Sequence, residues 1–258
     1  MVSVNLDVLL KWVEEFFIPL SRILGFISVA PLFGHRSITM IVKALVGLAL
    51  AATVVPALPS LPRVDIVSVQ GALVIFQQSL IGLAIGLMMQ VTFVAIDLAG
   101  QACGLSMGFG FASFFDPSSG TNQTVISTLF GILAMLVFLS LDGHLLMISA
   151  LIESFYTLPV NTESFHFDYL AIARWGGQLF VFGLQLALPI VVTLLITNVA
   201  LGVLTRAAPQ LNIFGIGFPI TILAGLVITT IVLPSLANPV RHIFEQGIHA
   251  VNQIMQWR

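Results

Sequence analysis

LAMLVFLSLDGHLLMISALI occupies residues 133–152. It lies within an apolar stretch, roughly 124–156, that is too long for one upright span, because about 20 apolar residues cross a bilayer. Asp142 and Gly143 interrupt that stretch near its middle. A charged side chain at the bilayer centre costs at least ~2.5–3.5 kcal/mol, and Asp-Gly is a turn signal. The stretch therefore reads as a helix, a tight break and a second helix, forming a hairpin or a kinked rod. Non-helical backbone at membrane depth is tolerated only where protein or a water-filled cavity surrounds it. The break points to burial inside an assembly rather than to a simple bundle in lipid. The expected fold is an all-α membrane protein of broken and kinked helical hairpins.

Composition agrees with a membrane chain. Of 258 residues, 58% are hydrophobic and 8% charged, against roughly 25% charged in soluble domains. Mean hydropathy is +1.09. The net charge of −2 gives no reason to expect nucleic acid as a partner. With the single cysteine Cys103, an internal disulfide and a cysteine-rich metal site are both excluded. The opening MVSVNLDVLLKWVEE carries Asp7, Glu14 and Glu15 and lacks a basic leader with a small-residue cleavage site. The chain is expected to enter the membrane through its own helices.

Six stretches are candidates for spans: roughly 16–34, 38–58, 69–100, 124–156, 178–205 and 212–236. Prolines close several of them, among them Pro56, Pro209 and Pro234. Asp97 and Gly100 fall late in the third. The tail, about 239–258, reads as a separate amphipathic helix starting at Pro239. Val240, Ile243, Phe244, Ile248, Val251, Ile254 and Met255 recur at spacings of three and four. Such a stripe is expected on a membrane surface or against a partner. The whole chain, 1–258, reads as one integral membrane domain carrying this tail.

Polar residues inside the apolar stretches fall into two groups. Lys43, Asp97, Asp142 with His144 beside it, and Arg206 are the charged and titratable set. An ion or proton relay is one reading; turn residues and structural charges are the other, and the turn chemistry of Asp142-Gly143 favours the second. Gln77, Gln78, Ser79, Gln90, Thr92, Gln101, Gln178, Gln185 and Asn198 read as interhelix hydrogen-bonding groups. Gly82 and Gly86 in GLAIG have the small-xxx-small spacing of closely packed helices. The histidines 35, 144, 166, 242 and 249 have no metal-ligand spacing. No metal, cofactor or catalytic group is expected.

GFGFASFFDPSSG, residues 108–120, combines four phenylalanines with three glycines and ends in a turn signal at Asp116-Pro117. Its glycines and proline oppose a regular helix, at about 1 and 3 kcal/mol per position. Irregular backbone normally faces water and is polar. This segment is apolar, so it is either a re-entrant loop packed as ordinary core or a hydrophobic constriction that closes a passage by dewetting.

Four segments taken in order resemble the FliR family, the flagellar type III export-gate subunit. They are SRILGFISVAPLFG at 21–34, AGQACGLSMGFGFASFFDP at 99–117, FLSLDGH at 138–144, and NVALGVLTRAAPQLNIFGIGFP at 198–219. The likeness runs from about residue 12 to 245, and the equivalent subunit of virulence type III secretion systems is a looser relative. The resemblance implies a non-enzymatic subunit of a closed, helical, cone-like export gate. Its partners would be several copies each of FliP and FliQ, with FlhB, FlhA and rod-base proteins, in the bacterial inner membrane. Much of that complex would lie toward the periplasm. Unfolded flagellar subunits would pass through it. The resemblance also implies a channel plug made of Met107, Phe109, Phe111, Phe114 and Phe115. Gly108 and Gly110 would supply its hinge, and Asp116 and Pro117 its turn. The competing classes are a small secondary transporter that uses Asp97, Asp142 and Lys43 as coupling groups, and an intramembrane enzyme that uses Asp142 and His144, against which the lack of a paired nucleophile or metal cluster argues.

Overall fold

A computed structural model describes residues 6–35, 37–58, 66, 68–110, 124–160, 169–208 and 217–255, with side-chain placement from Phe16 to Gln253. The described residues form helices and turns. The helices are α1 (Leu6–Val29), α2 (Met40–Val54), α3 (Val69–Met107), α4 (Val125–Ser140), α5 (Gly143–Thr157), α6 (Tyr169–Ala207) and α7 (Phe218–Met255). A 3-10 turn, Val55–Ala57, extends α2 and has a proline at its start. Four helices are long and apolar enough to cross a membrane, and the α4–α5 pair passes the same test as one broken span. The chain is an all-α membrane protein.

The break falls where Asp142-Gly143 places it. Asp142 adopts a left-handed backbone, with φ of 51°, a conformation for which Asp is enriched among non-glycine residues. Its side chain makes no capping hydrogen bond. Instead its carbonyl accepts the N–H groups of Leu145 and Leu146, at 2.9 and 3.0 Å, and so starts α5. Thr124 opens α4 more conventionally, its hydroxyl accepting the Ser127 N–H at 3.1 Å.

Two expectations from the sequence are revised. The tail is not a separate helix, because α7 runs unbroken from Phe218 to Met255 with Pro234 and Pro239 inside it. Its apolar stripe does not face outward either: Val240, Ile243, Phe244 and Val251 are buried, while Arg241, His242, Glu245 and His249 lie on the exposed side. Arg241 Nε donates to Glu245 Oε1 at 2.9 Å on that side. The first stretch also differs. Its apolar part is Phe16–Val29, short of a span, and α1 holds the fully buried Arg22.

Long helices pass through two compact units. The first comprises Met1–Val91, Asp142–Gly176 and Gln246–Arg258. Its core joins Ile18, Ile23, Phe26 and Ile27 of α1 to Ile81, Ile85 and Met88 of α3, with Met147, Leu151 and Phe155 from α5. Glycines let α1 and α3 approach at backbone distance. A Cβ added to Gly82 would fall on the Arg22 carbonyl, one on Gly25 would fall on the Ser79 carbonyl, and one on Gly86 would lie 2.8 Å from the Phe26 carbonyl oxygen. The GLAIG spacing therefore is a helix-packing motif.

The second unit comprises Thr92–Leu141 and Gly177–Glu245. Phe93, Phe138 and Phe244 form a triangle of rings at its centre, with centroids 4.9, 5.2 and 5.3 Å apart. Ile96, Cys103, Phe130, Ile190 and Leu194 complete the core.

The glycine contacts give a paired test. Gly82→Ala should lower stability by about 1–3 kcal/mol through overpacking, read as a fall in the detergent melting temperature. Gly131→Ala and Gly202→Ala meet open space and should be neutral or gain up to about 1 kcal/mol, as helical Gly→Ala changes do. A Gly82→Ala melting curve that overlays the wild type would refute backbone-distance packing of α1 on α3.

Candidate functional site

The apolar segment 108–120 begins where α3 ends. The end of α3 is a complete Schellman stop. The Gly108 N–H bonds the Leu105 carbonyl and the Phe109 N–H bonds the Gly104 carbonyl, both at 3.0 Å. Gly108 has φ of +96°, which the residue following a helix requires in this motif and which glycine adopts at no steric cost. The ring of Phe218 packs where a Cβ on Gly108 would stand, at 2.6 Å.

One residue earlier, Met107 is fully buried. Its thioether fills the notch left by Gly225, which lacks a side chain in mid-helix. Thr221 Oγ1 bonds the carbonyl oxygens of Met107, at 3.3 Å, and of Phe218, at 2.9 Å. Met107 is thus an anchor between α3 and α7, and it has no open surface to present to a passage. Gly108 supplies the left-handed residue of the stop. Phe109 and Gly110 are half-buried. Phe111, Phe114, Phe115, Asp116 and Pro117 lie outside the described residues.

The return of the segment is pinned beside its exit. Thr124 side-chain atoms occupy the space over Gly104, and the Ser127 Cα lies 2.5 Å from where a Cβ on Gly100 would be. Two glycines one turn apart on α3 therefore receive the first turn of α4. Thr124 therefore meets α3 about one turn before the Schellman stop at Gly108.

The titratable residues do not form one cluster. Lys43 Nζ donates to the Gly34 carbonyl at 2.8 Å, which ties α2 to the turn before it. The Asp97 carboxylate accepts Gln101 Nε2 at 2.9 Å on its own helix. Asp142 is exposed at the α4–α5 break, and Arg206 is exposed in the last turn of α6, where a cation suits the helix dipole. His144 has a buried Nδ1 with no partner. Among the described residues, no group of three or more His, Cys, Asp or Glu is placed to hold a metal ion.

The sequence reading overlooked Arg22. Its side chain is completely enclosed in the first unit. Nε donates to Gln78 Oε1 at 2.8 Å, one terminal nitrogen to the Ser154 carbonyl at 2.7 Å and its hydroxyl at 3.1 Å, and the other to the Leu158 carbonyl at 2.8 Å. The guanidinium carbon lies 4.3 Å from the centroid of the Phe155 ring. The available signal was an arginine at helical spacing among Ile18, Ile23 and Phe26 in an apolar stretch. Its partners were less legible, since Ser154 and Leu158 act mainly through backbone oxygens.

Comparison with known proteins agrees with the order of the motifs. The family described as bacterial export proteins, family 1, matches residues 13–247. The flagellar biosynthetic protein FliR of Pectobacterium carotovorum is 48% identical over 210 residues, 81% of this chain and 80% of that protein. The FliR of Escherichia coli K12 is 39% identical over 249 residues, 95% and 94% of the two chains. That of Bacillus subtilis is 28% identical over 199 residues, 75% and 76% of the two.

If Met107 anchors the loop, Met107→Ala should destabilise by about 2–5 kcal/mol, the range for emptying a buried methionine site. Gly225→Leu should displace the thioether and lower the melting temperature as well. A melting temperature unchanged in both variants would mean that the Met107–Gly225 contact carries no load.

Proposed function

Because the chain belongs to the FliR family of bacterial export proteins, we propose that it is a multi-pass membrane subunit of the flagellar type III export apparatus, without catalytic chemistry, whose segment after Met107 closes a protein-conducting channel. The observation that carries this reading is the pinned apolar segment. The packed contacts at Met107 and at Thr124 flank a stretch with four phenylalanines that lacks the polar composition of a surface loop. Apolar rings in a narrow passage exclude water, and ions then face a dewetting barrier. Rigid roots with a glycine-containing span between them allow the rings to be displaced by an entering chain and to return.

The exposed surfaces support an assembled subunit. Leu170, Phe180, Leu184, Leu195, Val199 and Leu204 are exposed along nearly the whole of α6. Its 39 residues have a contour length of about 58 Å at 1.5 Å per residue, against about 30 Å of bilayer hydrocarbon. Lipid cannot cover an upright apolar helix of that length, so other subunits are needed to cover the remainder. In this reading those are FliP and FliQ in several copies, with FlhB, FlhA and the rod base adjoining, unfolded flagellar proteins as cargo, and the inner membrane as the site. The plug consists of Phe109, Phe111, Phe114 and Phe115 with their turn at Asp116-Pro117, and Met107 anchors it.

The deciding measurement is the permeability of cells carrying the assembled apparatus to ions or a small dye. Replacing the four phenylalanines by alanine, or deleting residues 108–115, should raise the leak sharply with the complex still assembled. An unchanged leak in an assembled complex would make the rings ordinary core and place the seal in another subunit. If instead neutralising Asp97 or Asp142 abolished transport of a small solute by the purified protein, the transporter reading would replace this one.

A further inference from the structure

We propose that Arg22 is a register lock. It is a positioning residue that fixes the C-terminal end of α5 at one alignment on α1 and α3, and its contribution is uniqueness of packing rather than stability. The inference concerns the first unit alone and stands apart from the export reading.

A buried guanidinium is costly unless its charge is compensated and its donors are paired. Among the described residues, the hydrogen-bond partners of Arg22 are neutral: an amide oxygen, a hydroxyl and two backbone carbonyls. The compensation comes from position. Ser154 and Leu158 lie at the end of α5, with Leu158 its C-cap, at the negative end of the helix dipole; the Ser154 carbonyl also accepts the Leu158 N–H at 3.0 Å. The Phe155 ring adds its negative face.

These interactions are directional, and that makes them register-specific. Arginine presents its donors in a rigid planar fork. Here one edge of the fork addresses α3 through Gln78, and two further nitrogens address carbonyls four residues apart on α5. Sliding α5 by one turn would carry the Ser154 hydroxyl and the Leu158 C-cap carbonyl away from the fork. The apolar contacts around it specify less. Met147, Leu151 and Phe155 recur at spacings of four, so a shift of one turn would still present an apolar ridge. The second anchor of this end agrees with the alignment: Tyr156 Oη donates to the Ala57 carbonyl at 2.9 Å.

The arrangement also carries an expense that a purely stabilising site would avoid. Gln78 Nε2 is buried with no hydrogen-bond partner. Leucine at position 78 and methionine at position 22 would remove both the charge and the orphan donor at similar volume. Replacing buried ionic groups by well-packed apolar ones is often neutral or stabilising. A site that keeps them is explained by specificity, as with buried polar groups that set helix alignment in coiled coils.

The test uses the full chain extracted in mild detergent, with Cys103→Ala and spin labels at Ser28→Cys on α1 and Ser149→Cys on α5. Both labelled positions are exposed and within the first unit. Pulsed dipolar spectroscopy on the Arg22 protein should give one narrow distance distribution. The R22M/Q78L variant should keep its helicity and its melting temperature. Its distance distribution should broaden or split, with populations offset by about 5 Å, one helical turn. R22K, which retains charge but not the fork, should broaden it too. One narrow population at the original distance in R22M/Q78L would overturn the proposal. Loss of the folded state in R22M/Q78L would also overturn it, since Arg22 would then be a stability element. Because both labels sit in one unit, neither result depends on whether the chain gates export.

Discussion

In hydrocarbon, a backbone has to satisfy its own hydrogen-bonding groups, and this constraint shapes the rest of the molecule. Each unpaired N–H or C=O costs several kcal/mol where no water can reach it. Long helices meet the requirement everywhere except at their ends. The interest of this chain lies in how its ends are managed. Asp142 closes the α4–α5 break with its own carbonyl. Gly108 closes α3 with both bonds of a Schellman stop. Arg22 reaches 132 and 136 residues along the chain to take up carbonyls at the end of α5. Three helix termini are closed in three ways: a carbonyl that accepts, backbone N–H groups that donate, and a guanidinium that donates from another helix.

Much of this was legible because it depends on local chemistry. Asp-Gly inside an apolar run has few stable outcomes, and the structure takes the one expected. Small-xxx-small spacing at Gly82 and Gly86 likewise became backbone-distance packing against α1. The export family could be read from four ordered motifs, and the family match over residues 13–247 agrees with it. What was illegible depended on partners distant in sequence. Pro234 and Pro239 are stop signals by local rules, at about 3 kcal/mol each in a helix interior. The helix continues through both. Phe244 then joins Phe93 and Phe138. Three aromatic contacts at about 0.5–1.5 kcal/mol each beyond burial are comparable with one proline. A tail whose stripe finds a core inside its own chain has no need of a membrane surface.

The candidate plug shows the same division. Its glycines and proline argued against a regular helix, and its composition was not polar; Gly110 is nevertheless helical. Composition could not assign Met107, which sits next to the phenylalanines and shares their hydrophobicity. Only the absence of a side chain at Gly225, more than a hundred residues later, turns Met107 from a ring-like filler into a root. A flexible thioether is the natural choice for such a notch, because Met adapts to irregular gaps that branched side chains cannot enter. The glycine at 108 was read as a source of mobility. Its φ of +96° instead belongs to the Schellman stop that ends α3.

A gate needs both properties at once. If the roots yielded, an entering chain would unravel α3 instead of displacing the loop, and the seal would have no fixed position to return to. If the whole segment were rigid, nothing large could pass. Both roots lie on α3: Met107 at the exit, and Gly100 and Gly104 receiving α4 at the return. Displacement of the segment between them would, in the proposed export role, leave those contacts intact, and the position of the seal would be kept through each opening. In the proposed export role, the apolar rings supply the barrier and the two glycine-lined contacts supply the memory of where the barrier belongs.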